Sequence, residues 1–212
     1  RGELLENLCF PWSNVTDTAL SALCLFPNLK ALDLTCARFE TEDYLSVLVR
    51  TCGENLTELL LYLCYPTLPL VTMQEVLPLL TQLKSFSFYF EDNYAAEWNM
   101  SSFRKLTQLA VYYDGTNSAE LVSQLTEHCH SNIRELSMCM AESDHLCDNI
   151  DMLVSTCTKL RILNVKSIST NHPWCTDEDK ERWKCLRPGS TVGEHYEHRL
   201  NVFTKYECTG PW

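Results

Sequence analysis

The chain has 212 residues, 45% of them hydrophobic and 21% charged, the make-up of a folded protein rather than of a disordered or fibrous one. Its formal net charge is −11, which opposes the counterion release that drives nucleic-acid binding, and no basic run offsets it, so nucleic acid and anionic membrane surfaces are not expected partners. There is no apolar run long enough to span a bilayer and no N-terminal signal-type segment; the chain opens on Arg1, already inside a repeating pattern, and reads as a fragment.

Taken in order, the first pattern is Leu5-x-x-Leu8-x-Phe10, a short apolar alternation that sends successive side chains to opposite faces of a strand. A helix is expected over Asp17 to Cys24. Leu29-x-x-Leu32-x-Leu34 repeats the first pattern, and Glu42 to Cys52 then places Tyr44, Leu45, Leu48 and Val49 on one helical face. The third copy is Leu56-x-x-Leu59-x-Leu61-x-x-Cys64. After it, Thr72-x-x-Glu75 is a capping box for a helix through Leu80, which Pro78 should kink or shorten. Leu83-x-x-Phe86-x-Phe88 and Leu106-x-x-Leu109-x-Val111 come next and stand closer together than any other two copies, so an irregular or 3₁₀ connection is expected over Asn93 to Lys105. A helix over Ser118 to Cys129 precedes Ile133-x-x-Leu136-x-Met138, and one over Leu146 to Cys157 precedes Leu160-x-x-Leu163-x-Val165.

These seven copies keep a spacing inside the range of about 20 to 29 residues that a leucine-rich repeat requires, and the fullest of them, L-x-x-L-x-L-x-x-C, is the strand-and-turn signature of that repeat. Strand and helix in alternation require right-handed parallel crossovers. The expected fold is therefore α/β, a right-handed leucine-rich-repeat solenoid or horseshoe with the parallel sheet on its concave face and helices on its convex face. Residues 1–166 would form about seven repeats and residues 167–212 a C-terminal cap, since a solenoid needs its open end covered. In that cap, Thr176-x-x-Asp179 would open a helix to about Cys185, Arg187 to Ser190 a turn, and Arg199 to Tyr206 a last strand, with Trp174 and Trp183 covering the final apolar layer.

The twelve cysteines permit a disulfide framework. Cys52, Cys129 and Cys157, however, each stand just before a strand, as buried thiols filling equivalent layers would. Asn14, Asn55 and Asn99 match the glycosylation pattern, but Asn55 abuts a predicted buried strand. A reducing compartment, cytoplasmic or nuclear, is expected. His128-Cys129-His130 cannot converge on a metal from successive helical positions, and the tail set His172, Cys175, Cys185, His195 and His198 has no tight pair of cysteines. No nucleophile elbow or phosphate loop occurs; no catalytic residue, metal or cofactor is assigned, and the chain is expected not to be an enzyme.

The expected concave face holds the one candidate site. The column beyond the third core position reads Thr35, Tyr62, Tyr89, Tyr112, Cys139, Lys166, which sets three tyrosines on neighbouring strands. Tyrosine suits recognition, offering a broad apolar ring and a hydroxyl at little entropic cost; the alternative is that aromatic side chains simply favour strands and cover one another. With Glu58 and Glu135 in a parallel column, Tyr62, Tyr89 and Tyr112 are the predicted contacts to a protein partner bearing some positive charge.

Cys52 before Leu56 to Cys64, Cys129 before Ile133 and Cys157 before Leu160 resemble the cysteine-containing class of leucine-rich repeat typical of F-box and leucine-rich-repeat proteins, over about Leu5 to Lys166. The strand-following cysteine is clear only at Cys64, lies at Cys36 in its repeat, and is replaced elsewhere. What the resemblance implies is the substrate-recognition part of a Skp–cullin–F-box ubiquitin ligase, with a protein substrate on the concave face and the ligase adaptor docked through a module upstream of Arg1. Another intracellular scaffold or inhibitor built on the same arc, or an extracellular receptor fragment, remains an alternative.

Overall fold

The computed structural model describes residues 4–62, 64–65, 75–90, 104–113, 118–129, 132–140, 146–167, 177–186 and 191–193. Its strands are β1 (Asn7–Cys9), β2 (Asn14–Val15), β3 (Ala31–Asp33), β4 (Arg38–Phe39), β5 (Glu58–Leu61), β6 (Ser85–Phe90), β7 (Gln108–Tyr113), β8 (Glu135–Met140), β9 (Ile162–Ser167) and β10 (Thr191–Gly193). The helices are α1 (Asp17–Ser21), α2 (Tyr44–Cys52), α3 (Ser118–Cys129), α4 (Leu146–Thr156) and α5 (Asp177–Leu186), with 3₁₀ turns over Ala22–Leu25 and Leu77–Leu79. Among these residues β1-β3-β5-β6-β7-β8-β9-β10 form one open eight-stranded sheet, parallel at every step. This is the right-handed solenoid that the repeat predicts.

The register follows the repeat residue by residue. Leu32, Leu59, Phe86, Leu109, Leu136, Leu163 and Val192 pair in succession across the sheet. The first six of these are 0–3% exposed, so each layer stacks its apolar row on the next and the core runs the length of the sheet. The backbone repeats too. The carbonyls of Glu6, Lys30, Thr57, Lys84, Thr107 and Arg134 each accept two successive N–H groups from the next layer. The shortest repeat, from Leu83 to Leu106, keeps this pattern, so the strand is not where it is shortened.

Helices form where the one-sided patterns predict. The Thr16 hydroxyl accepts from the Ala19 N–H and caps α1. Tyr44, Leu45, Leu48, Val49 and Cys52 are the buried face of α2, and Ile150, Leu153 and Val154 that of α4. Pro78 sits inside the short 3₁₀ turn Leu77–Leu79, the shortening expected of a residue with no N–H to donate. Thr72 of the capping box, the irregular segment up to residue 103, the turn at Arg187 to Ser190, the strand at Arg199 to Tyr206 and Trp174 lie outside the described residues.

Two features go beyond the repeat pattern. After β1 and β3 the chain turns through left-handed residues, Trp12 at φ 59° and Cys36 at φ 58°, which stand at the same place in successive repeats. This conformation is uncommon for residues other than glycine, and here it redirects the chain into β2 and β4, which pair in a separate two-stranded parallel sheet. Second, the sheet runs past residue 166. β10 pairs with β9 through Val192 opposite Leu163, and α5 buries Trp183 in the common core.

The eight cysteines whose side chains are described are free thiols. Cys36, Cys52, Cys64 and Cys157 are buried, and the Cys64 thiol donates to the Leu34 carbonyl of the preceding layer at 3.1 Å. That carbonyl also accepts the Ala37 N–H at 2.9 Å, so the thiol occupies its second lone pair, a physical reason for the cysteine of the signature. Asn55 is exposed, with its amide donating to the Pro27 carbonyl at 3.0 Å. Burial pushes the Cys52 thiol up to about 12 and raises that of Cys64 further, and burial also holds the Tyr44 hydroxyl well above its ordinary 10. Raised acids keep protons in the folded chain that the unfolded chain releases once pH passes their ordinary values of 9.0 and 10.0. Their contribution to stability is therefore full below about pH 9 and lost as pH rises above it. Urea midpoints measured between pH 8 and 11 should fall, and should fall less steeply in Cys52→Ala/Cys64→Ala; an equal slope in the variant would assign the loss to other groups.

Candidate protein-binding surface on the concave sheet

Strand alternation sends the residues between core positions to the open face of the sheet. One column there is Glu58, Ser85, Gln108, Glu135 and Ile162, and the next is Leu60, Ser87, Ala110, Ser137 and Asn164. All ten are half-buried. The Asn164 amide donates to the Ser137 hydroxyl at 3.1 Å, tying neighbouring strands across the floor. Toward the first repeats Asp33 accepts from the Thr35 N–H at 2.9 Å and from the Cys9 thiol at 3.3 Å, which fixes its carboxylate to the protein.

The tyrosines come together. Tyr89 pairs with Tyr112 across β6 and β7, with ring centroids 5.1 Å apart. Tyr62 meets Tyr89 edge-on at 6.1 Å and Tyr112 edge-on at 5.4 Å. Strands β5 and β7 are separated by β6, about 10 Å apart at two strand spacings, so the Tyr62 and Tyr112 rings lean toward each other above Tyr89. That explains the burial: Tyr89 is 7% exposed, whereas Tyr62 and Tyr112 stay half-buried. Edge-to-face contacts at these separations are favourable for aromatic quadrupoles. The three rings therefore cover one another, with Tyr89 as the buried member and Tyr62 and Tyr112 half-buried above it.

The glutamates are placed differently. Glu58 and Glu135 share a register position but lie on β5 and β8, about 14 Å apart at three strand spacings. Tyr62 stands beyond Glu58 by about 13 Å along the strand. Acidic and aromatic groups thus occupy opposite ends of the strands and do not form one cluster. At the edge of the tyrosine column Thr35 is 1% exposed, and its hydroxyl has no partner among the described residues. The side chains of Lys166, His128 and Cys129 lie outside the described residues. No described helix is long and apolar enough to cross a membrane.

No family model matches the chain and no curated protein matches its sequence. Among solved structures, internalin C2 of Listeria monocytogenes is similar at 16% identity and a TM-score of 0.51, over 88% of this chain and 69% of that one. An internalin, InlF, of the same organism is similar at 16% identity and a TM-score of 0.42, over 81% of this chain and 43% of that one. A leucine-rich-repeat protein of Leptospira interrogans is similar at 15% identity and a TM-score of 0.42, over 90% of this chain and 61% of that one. At these identities the likeness to internalin C2 shows the leucine-rich-repeat fold alone.

Proposed function

We propose that the chain is a protein-binding scaffold that holds its partner on the concave sheet, over the Tyr62, Tyr89 and Tyr112 cluster, and acts by binding rather than by chemistry of its own. The observation that carries this reading is the preorganised aromatic platform: two accessible rings packed on a third that is buried. Rings already held by one another lose little freedom when a partner lands on them, so more of the contact energy is left as affinity. The half-buried Glu58 and Glu135 at the far ends of the strands favour positive charge in the part of the partner that reaches them.

A finer setting is the substrate-recognition part of a Skp–cullin–F-box ubiquitin ligase in the cytoplasm or nucleus. Its support is the cysteine-containing repeat, with Cys52, Cys64 and Cys157 buried at their repeat positions. In that setting the arc would keep a target near the ubiquitin-loaded conjugating enzyme and raise its effective concentration, while an adaptor docked upstream. Co-purification of the natural protein with the ligase adaptor tests this setting separately from the binding surface.

Tyr62 and Tyr112 are the residues to change, because truncating the buried Tyr89 would also remove core packing. Tyr62→Ala/Tyr112→Ala is expected to keep the fold by circular dichroism and to weaken partner binding at least tenfold. A photo-crosslinking side chain at 112 should capture a partner that the same group at the exposed convex Met152 does not. Capture at both positions, or unchanged affinity in the double variant, would remove the concave assignment.

A further inference from the structure

The chain is acidic and has no basic run, yet the solenoid gathers cations along one edge. The register Ser85, Gln108, Glu135, Ile162 aligns the residues just before them, Lys84, Thr107, Arg134 and Arg161, along the turns that lead into the strands. Slightly earlier in the same turns stand Gln82, Lys105, Asn132 and Lys159. Contacts join these turns in sequence: Lys105 Nζ donates to Gln82 Oε1, Asn132 Nδ2 donates to the Arg104 carbonyl at 2.7 Å, and Lys159 Nζ donates to Asn132 Oδ1 at 3.0 Å.

Four successive turns therefore bring together Lys84, Arg104, Lys105, Arg134, Lys159 and Arg161, all exposed. Six of the seventeen Lys and Arg of a chain with net charge −11 fall within three strand spacings, about 14 Å. The described residues of these turns, 81–84, 104–107, 132–134 and 157–161, include no Asp or Glu. The nearest carboxylates in sequence are Glu135, half-buried at the start of β8, and Glu127 on α3. Among the described residues none of the six cations makes a salt bridge, unlike Lys30 in the second repeat, which pairs with Glu6.

We propose that this edge is a second interaction surface, which docks an extended acidic segment of a protein partner, and that it is distinct from the tyrosine platform at the other end of the strands. The fit is one of charge and length. About 14 Å of edge matches about four residues of extended chain at about 3.3 Å each, and each of the four turns supplies at least one cation to it. A short carboxylate segment suits it better than a nucleic acid or a bilayer. Those carry their charge well beyond about 14 Å and would also meet the acidic remainder of the molecule, whereas a short segment stays close to the cations, within the screening length of about 8 Å in physiological salt.

The test uses the chain as it stands with fluorescein-labelled octaglutamate, followed by anisotropy at 50 and 300 mM salt. Octaglutamate is expected to bind, more weakly at high salt, and octalysine not to bind at this edge. Arg134→Glu/Arg161→Glu should lower the octaglutamate affinity at least tenfold. Arg38→Glu/Arg50→Glu makes the same change in net charge away from the edge and should shift the affinity less than twofold. Equal loss in the two variants would reduce the effect to general attraction and overturn the proposal. Arg134→Gln/Arg161→Gln, a milder change, should give an intermediate loss, and no loss there would also overturn it. Tighter binding of an eight-nucleotide single strand or of phosphatidylserine vesicles than of octaglutamate would reassign the edge to that partner class. Tyr62→Ala/Tyr112→Ala should leave octaglutamate binding unchanged, so the two surfaces fail or stand separately.

Discussion

Trp183→Ala is expected to lower the stability of the fold by about 3 to 5 kcal/mol, the range for removing a large buried aromatic side chain. Trp183 has 0% exposure and belongs to the continuous core. It sits on α5, which follows the last full repeat. Its indole N–H donates to Asp151 Oδ1 on α4 at 2.6 Å, and Arg182 reaches the same carboxylate at 3.1 Å. The alanine variant thus opens a cavity against the last apolar layer and takes from Asp151 one of its two donors. Trp183→Phe separates the two effects: it keeps most of the volume and loses the hydrogen bond, and should cost about 1 to 3 kcal/mol. Urea denaturation decides. A loss below about 1 kcal/mol for the alanine variant, well under the range for such a truncation, would mean that α5 does not seal the end of the core.

The second large effect is expected at Phe88→Ala, again about 3 to 5 kcal/mol. Phe86 and Phe88 stand where the other central repeats carry aliphatic residues; they are 1% and 0% exposed, and their rings stack at 4.8 Å with planes 20° apart. The neighbouring layers explain the aromatic choice. The repeat that β6 opens is the shortest in the chain, which leaves less chain to build its convex side, so larger side chains from the strand suit that interior. Phe88→Leu restores the consensus residue but not the volume and should still cost about 1 kcal/mol, the scale of a methyl-sized void. A Phe88→Leu variant as stable as the parent would show that the layer repacks and that the ring volume is not needed.

The concave site was legible as a column but not as a surface. Counting from Leu56, Leu83 and Leu106 places Tyr62, Tyr89 and Tyr112 in one register, because the strand period of two and the repeat spacing are both sequence properties. That Tyr89 is covered while its neighbours are accessible depends on Tyr62 and Tyr112 closing over β6 at 5.4 Å, a choice of side-chain direction that spacing does not encode. The basic edge is the reverse case. Lys84, Lys105, Arg134, Lys159 and Arg161 are spread over four repeats and form no run, so a search for basic stretches passes over them. Once the turns are aligned by the repeat, they are neighbours.

The sequence by itself determined the repeat, the parallel sheet and the core rows from the second copy on, because Leu-x-x-Leu-x-Leu states which side chains must be buried and the spacing states how often; in the first copy Leu5 and Leu8 are only half-buried and Phe10 is 41% exposed. It also determined the main helices, α2, α3 and α4, where one-sided apolar patterns leave a single face to bury. Only the tertiary structure decided the rest. The left-handed turns at Trp12 and Cys36 arise from residues with no local preference for that conformation. β10 rests on a single apolar residue, Val192, opposite Leu163; so short a segment carries too little pattern to announce a strand, and only the exposed edge of β9 makes it one. Local periodicity sets what each layer must hide, whereas the ends, the turns and the charged edge depend on which layer lies alongside, a relation between residues a full repeat apart that exists once the solenoid has closed layer on layer.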